Sequence, residues 1–290
     1  MSRALITGAG GQVGRALQAT APGGWSVVPC TPGELDVTCP DAVANTFRRE
    51  GPDVVIHAAA YTAVDDAERE PERAERVNAR GAALVAQAAQ RVGARVICLS
   101  TDYVFDGARG SPYLPADPPN PLNVYGRTKF DGERAVERAT AGSATIVRTA
   151  WVYSSAGRNF VLTMLRLMRE RESIGVVCDQ IGTPTWARSV ARALWAVADR
   201  PELRGVLHWT DAGVASWYDF AVAVQEEALA LGMLDRAVPV RPLRTAEYPG
   251  RARRPPYSVL DASFARTALE LGAAHWRVNL RAMLRELAHA

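Results

Sequence analysis

The chain of 290 residues contains a single lysine: 33 of its 34 basic residues are arginine, and the exception is Lys129. Cysteine is scarce as well. Cys30, Cys39, Cys98 and Cys178 are scattered without a CxxC spacing, which argues against a disulfide framework or a zinc site and reads them as small buried hydrophobes. The four histidines are equally dispersed, and no metal site is expected. No apolar run reaches the roughly 18 residues of a membrane span. A formal charge of only +3, with no basic arm, argues against nucleic acid as a partner. The opening stretch MSRALITGAGGQVG enters directly into a strand and a glycine turn. It lacks the apolar core and cleavage site of a signal peptide, so the expected location is cytoplasmic. There is no internal repeat and no low-complexity tail.

What remains is an ordinary globular composition, 48% hydrophobic and 22% charged, long enough for one large domain or two modest ones. Short apolar, β-branched runs at 4–8, 25–30, 53–60, 94–101, 144–153, 174–179 and 205–210 alternate with helical patterns near 12–20, 40–50, 72–92, 122–140, 159–171, 186–199 and 216–231. Repeated strand–helix alternation predicts an α/β fold, a doubly wound parallel sheet of the Rossmann type. Near-continuous apolar strands fit burial on both faces. After about residue 215 helices dominate, interrupted by the Pro- and Arg-rich stretch 249–258. The expected organisation is a dinucleotide-binding domain over 1–150, with a returning segment about 185–215. A smaller, mostly helical substrate-binding lobe would come from 151–184 and 216–290.

Gly8, Gly11 and Gly14 stand at the first strand-to-helix turn. Glycines there permit a tight turn and let backbone N–H groups approach a pyrophosphate at the positive end of the helix. The G-x-x-G-x-x-G spacing is a variant of the dinucleotide fingerprint, and its place between a strand and a helix in a βαβ series supports that reading. An acidic residue at the end of the second strand would hold the ribose of NAD. Thr31 is near that place, and Glu34 and Asp36 come slightly late. Arg15 either meets a 2′-phosphate or stands as a solvated first-turn side chain. The balance leans toward NADPH, with NADH the alternative.

Of the 34 basic positions only 129 lies four residues after a tyrosine, Tyr125. Residues four apart on a helix share a face. An ammonium beside a phenol favours the phenolate and so lowers the tyrosine pKa, making Tyr125 a proton donor and acceptor usable near neutral pH. A compact point charge also suits contact with a nicotinamide ribose better than a guanidinium fork does. The fourth strand ends in Ser100, Thr101 and Asp102, at the sheet edge where ligands bind in such folds. Thr101 and Tyr125 together would offer two donors to developing negative charge. A strand-end cap is the alternative for these polar residues, above all for Ser100.

The glycine turn, Thr101 and YGRTK (125–129) resemble the extended short-chain dehydrogenase/reductases. AAAYTAVDDAE (58–68), STDYVFDG (100–107), PLNVYGRTK (121–129), RTAWVY (148–153), DQIGTPT (179–185) and ARRPPYS (252–258) are similar, more closely, to the dTDP-4-dehydrorhamnose reductase family, over residues 4 to about 285. The resemblance implies reduction of the C4 ketone of dTDP-4-dehydro-L-rhamnose by a nicotinamide hydride. Tyr125 would supply the proton, Lys129 tune it and Thr101 position the ketone. It also implies that Gly11, Gln12 and Val13 touch the pyrophosphate, that Asp36 and Val37 meet the adenine side, and that Ala60, Tyr61, Thr62 and Ser100 line the cofactor. Asp102 and Trp151 would contact the sugar nucleotide, and Arg253 and Arg254 its diphosphate. Tyr61 departs from the histidine usual in the family. Arg15 and Ala16, and Arg188, stand where some relatives hold a dimer-bridging metal with glutamates, so a monomer or weak homodimer without a metal is expected. Two alternatives stay open: a sibling dTDP-sugar 4-ketoreductase such as a dihydrostreptose synthase, and a non-catalytic subunit like the β-subunit of methionine adenosyltransferase. The intact Thr101, Tyr125 and Lys129 argue against the second.

Overall fold

The computed structural model describes residues 1–289. Its central sheet has five strands, β1 (Ser2–Thr7), β2 (Trp25–Cys30), β3 (Val54–His57), β4 (Arg95–Thr101) and β5 (Thr145–Thr149), with Gly205–His208 as a sixth. All pairings are parallel, in the order β2-β1-β3-β4-β5 and then the sixth strand. The order reverses at β1 and β3, so a crevice opens at their carboxyl ends, the usual ligand position in such sheets.

Both sheet faces are covered. One carries the helices Gln12–Ala19 and Ala187–Ala198, whose Leu17, Val190 and Leu194 are fully buried with Ile6 and Ile56. The other carries Pro40–Glu50, Ala82–Arg91 and Val124–Ala139, packing Phe47, Val85 and Val136 onto Leu5 and Val55. Strand side chains alternate between the two faces, which is why adjacent residues such as Leu5 and Ile6 fall in different cores. Local signals agree with these elements. The helix Pro40–Glu50 opens on proline and closes on Gly51 at φ 49° with Arg48 and Arg49 in its last turn, as backbone geometry and helix dipole both favour. Ser216 and Asp219 form a reciprocal capping box on Trp217–Ala230.

A separate core forms the lobe, built on Tyr153, Leu165, Met168, Phe220, Leu280 and Leu284. Four features differ from the sequence reading. The run 144–153 is two strands, β5 and Val152–Tyr153, broken at Trp151, whose φ is 46°. The run 174–179 supplies Ile174–Val177, which pairs with Val240–Leu243 outside the main sheet. The pattern 72–92 is not one helix but Pro71–Glu75, a π-helical turn Arg76–Gly81 and Ala82–Arg91. The helix Ser263–Leu269, from the carboxyl-terminal stretch, packs Ala265 and Leu269 into a sheet-face core. Cys30 and Cys98 are buried as expected, but Cys39 is exposed. Among the described residues no helix is long and apolar enough to cross a membrane.

Candidate active site

The glycine turn closes tightly. Gly8 sits at φ 69°, and a Cβ there would come within 2.6 Å of the Ala59 nitrogen; a Cβ on Gly14 would lie 2.3 Å from the Gly8 carbonyl. Only glycine meets both demands. Gly11 caps the helix Gln12–Ala19, whose first turn has neither a side-chain cap nor an acidic residue. That leaves the Gln12–Val13 end open to an anion, the arrangement a cofactor diphosphate requires. Gln12 also reaches the lobe: its carboxamide oxygen accepts from the Ser154 hydroxyl at 3.0 Å. Arg15 folds back, donating Nε to the Gly10 carbonyl at 2.9 Å. At the end of β2, Glu34 accepts from the Thr31 N–H and hydroxyl. Asp36 is exposed and held by Thr38, while Val37 is part of the core.

The segment after β3 carries Ala60, Tyr61 and Thr62. Buried Asn78 pins it, accepting from the Tyr61 N–H at 2.8 Å and donating to the Tyr61 carbonyl and the Thr128 hydroxyl, each at 3.1 Å. Asn78 sits on the π-helical turn, which widens the helix locally; such bulges recur at functional sites. Sequence reading missed this residue, and among the charged residues of ERVNARG (75–81) no local signal sets it apart.

Asn123 caps the helix Val124–Ala139 through its side-chain oxygen and the Gly126 N–H, 2.8 Å apart. This sets Tyr125, Lys129 and Glu133 one turn apart along one face. A Cβ on Gly126 would lie 2.1 Å from the Tyr103 carbonyl, so its absence lets the helix meet the turn Asp102–Val104. The Tyr125 hydroxyl faces Thr101 closely enough to feel it, and its ring meets Tyr103 edge-on at 5.7 Å. Thr101 donates to Asp102 at 3.1 Å and accepts from the Tyr103 N–H at 3.2 Å.

The electrostatics correct one expectation. Burial pushes the Tyr125 phenol up to about 12, the neighbouring Thr101 hydroxyl opposes this only in part, and the Asp102 charge adds to it. Lys129 does not offset this rise; its ammonium is buried and donates to the Leu99 carbonyl at 2.8 Å. The tyrosine is thus firmly protonated, which is the state a proton donor needs. Burial also raises Asp102 to about 6 against the opposing Ser258 and Thr101 bonds. Burial and the nearby Lys129 charge hold His57 neutral, near 3; its Nδ1 pairs with the Thr7 hydroxyl at 2.8 Å.

Ser100 turns away from the crevice and donates to Glu133. Glu133 forms a bidentate, fully buried pair with Arg148, Nε–Oε1 at 2.9 Å and Nη2–Oε2 at 2.6 Å. This cluster locks the Tyr125 helix to β4 and β5, and sequence reading did not find it. Trp151 stacks on Trp217 with centroids 3.5 Å apart. Arg253 is exposed, whereas Arg254 is paired with Asp65. The Asp65 carboxyl lies below the ordinary range: burial works to raise it, but the Arg254 fork and the Ala252 and Arg251 amides outweigh that. Arg188 lies 3.7 Å from Glu286.

Comparison with known proteins agrees with this geometry. Residues 2–289 match the family model described as the RmlD substrate binding domain. The chain is 41% identical to the dTDP-4-dehydrorhamnose reductase of Aggregatibacter actinomycetemcomitans, over 97% of this chain and 98% of that protein. It is 42% identical to the enzyme of that name from Escherichia coli K12, over 98% and 97%. The crystal structure of the Bacillus anthracis dTDP-4-dehydrorhamnose reductase in complex with NADP superposes with a TM-score of 0.93 at 38% identity, covering 99% of this chain and all of that one. With the glycine turn, Thr101, Tyr125 and Lys129 assembled on a fold shared from end to end, the chain belongs to the dTDP-4-dehydrorhamnose reductase family.

Proposed function

We propose that this chain reduces the C4 ketone of dTDP-4-dehydro-β-L-rhamnose to give dTDP-L-rhamnose, with NADPH as reductant and NADH as the alternative. The observation that carries the reading is the meeting of Thr101 and Tyr125 at the carboxyl edge of β4, beside an open helix end suited to a diphosphate. A bound nicotinamide supplies the hydride. Tyr125, kept neutral by burial, gives its proton to the C4 oxygen as negative charge develops there. Thr101 is the second donor to that oxygen. Lys129, fixed by the Leu99 carbonyl, would offer its remaining N–H donors to the nicotinamide ribose, a contact that suits a compact ammonium.

In this reading Gly8, Gly11, Gln12, Val13 and Gly14 bind the pyrophosphate and Arg15 meets the 2′-phosphate. Ala60, Tyr61 and Thr62 flank the nicotinamide half. Asp36 and Val37 serve the adenine side, Asp36 with its exposed carboxylate and Val37 through the backbone, because its side chain is buried. Ser100 acts indirectly, through Glu133. Asp102 and Trp151 contact the sugar nucleotide, and the lobe of 151–184 and 216–290 carries the substrate. The proposed state is a cytoplasmic monomer or weak homodimer without a structural metal; the Arg188–Glu286 pair supports the last point, because a guanidinium there repels a cation.

The test is to incubate purified protein with dTDP-4-dehydro-L-rhamnose and each reduced nicotinamide, following both cofactor oxidation and product identity. Consumption of NADPH with formation of dTDP-L-rhamnose is expected. No cofactor oxidation with this ketosugar refutes the assignment.

A further inference from the structure

The stretch from Tyr248 to Ser258 returns from the lobe to the dinucleotide-binding half, and most of its ties converge on one carboxylate. Asp65, in the short helix Val64–Ala67, accepts from the Arg251 N–H at 2.8 Å and the Ala252 N–H at 2.9 Å. It also takes the Arg254 guanidinium, Nη2 at 2.5 Å and Nη1 at 3.4 Å. Arg254 donates further to the Ala252 carbonyl at 3.3 Å and lies over the Tyr248 ring at 5.7 Å. A Cβ on Gly250 would come within 2.8 Å of both the Tyr248 ring and Arg254 Nη1, so the loop is wrapped closely around this guanidinium.

The same loop touches chain neighbours of the catalytic residues. Asn123, the cap of the Tyr125 helix, donates to the Arg253 carbonyl at 2.8 Å, and the Ser258 hydroxyl donates to Asp102 at 2.5 Å. Arg253 therefore has its backbone anchored beside Tyr125 and its side chain exposed. Arg254 has its fork spent on Asp65, its side chain only 16% exposed. The two adjacent arginines, given the same role from sequence, stand in different chemical situations.

We propose that Asp65 is a positioning residue for the sugar nucleotide: by clamping Arg254 and the 251–252 backbone, it presents Arg253, and not Arg254, to the diphosphate. The inference rests on the proposed function only in taking a nucleoside diphosphate sugar as the ligand. Planar guanidinium suits diphosphate oxygens, and a guanidinium already paired with a carboxylate has little to offer a second anion.

The experiment measures dTDP binding by titration calorimetry, which needs no turnover, alongside NADPH binding and steady-state kinetics. Asp65→Asn keeps an oxygen for the two backbone N–H groups and removes the charge facing Arg254. It is expected to weaken dTDP binding and raise KM for the ketosugar about tenfold, the worth of one charge-assisted hydrogen bond, with NADPH affinity and kcat little changed. Arg254→Lys, which keeps a cation but loses the fork, should show the same loss, and the double variant should be no worse than either single. Arg253→Gln should weaken dTDP binding further in every background. Unchanged dTDP affinity in folded Asp65→Asn or Arg254→Lys overturns the proposal. So does a further loss when Arg254→Lys is added to Asp65→Asn, because Arg254 would then touch the ligand itself. A wild-type protein that binds dTDP through this loop yet leaves the ketosugar unreduced would sink the functional assignment and spare this one.

Discussion

The Lys129 ammonium donates to the Leu99 carbonyl, two residues before Thr101 on β4, across 2.8 Å. The Leu99 carbonyl is the one acceptor found for the ammonium among the described residues, and Lys129 is only 6% exposed. A guanidinium fork at this buried place would bring five N–H donors to the acceptor a compact ammonium now uses. Lys129→Arg is therefore expected to lower kcat roughly 10- to 100-fold, the worth of a hydrogen bond to a charged group. Steady-state kinetics check this; an arginine variant with normal kcat would undo the explanation of the lone lysine.

Removing the Tyr125 hydroxyl as Tyr125→Phe should cost about 10² to 10⁴ in kcat, the usual worth of general acid catalysis, with NADPH affinity unchanged. With the phenol near 12, the donor stays protonated through the neutral range. A pH–rate profile should consequently show no loss attributable to Tyr125 between about pH 7 and about pH 9. A limb there that vanishes in a Thr101 variant would contradict the assignment of the phenol as a firmly neutral donor.

Asp102 ties stability to pH. Its folded value near 6 lies above the ordinary 3.8, so the folded state binds the proton more tightly than the unfolded chain does. The stabilisation is complete below the unfolded value and is lost as pH rises through the folded one. Over the window from about pH 4 to about pH 6, wild type should lose on the order of 2 kcal/mol relative to Asp102→Asn. Urea unfolding of both proteins at the two ends of the window measures it. Parallel stability curves would show that Asp102 titrates normally.

Breaking the Glu133–Arg148 pair on one side should be severe. Glu133→Gln leaves a buried guanidinium without its countercharge and is expected to cost about 3 to 5 kcal/mol of unfolding free energy. Replacing both partners with methionine should recover most of that loss, since matched apolar groups are often no worse than a buried pair. Equal destabilisation by the single and double variants would mean that packing, not charge, sets the cost.

Gly126→Ala places a methyl group 2.1 Å from the Tyr103 carbonyl. The helix must then move off the turn Asp102–Val104, carrying Tyr125 away from Thr101. A stability loss of about 1 to 3 kcal/mol, typical of overpacking, should accompany a fall in kcat larger than that in dTDP affinity. Wild-type kcat in this variant would separate the helix position from the chemistry.

What the sequence revealed, and what it hid, follows from the range of the interactions. The strand Trp25–Cys30 and the helix Pro40–Glu50 were legible to the residue because β-branching, proline and glycine mark them locally. Tyr125 and Lys129 were legible because one helical turn fixes their relation. Glu133 with Arg148, and Asp65 with Arg254, join residues 15 and 189 positions apart, and no spacing rule connects them. The π-helical turn answers a tertiary demand, the hold of Asn78 on Tyr61, and leaves no periodic trace. The phenol pKa went the other way because spacing reports a neighbouring charge, whereas the depth of burial that outweighs it depends on the assembled fold.

Trp151 lies between the central sheet and the cluster built on Tyr153 and Phe220. At φ 46° its backbone swings out of the central sheet within one residue, and its ring is immobilised flat against Trp217 of the lobe. Under the proposed function, one left-handed pivot braced by an indole pair would set how the sugar meets the hydride donor, and loosening that brace is expected to misalign the two while leaving each binding half intact.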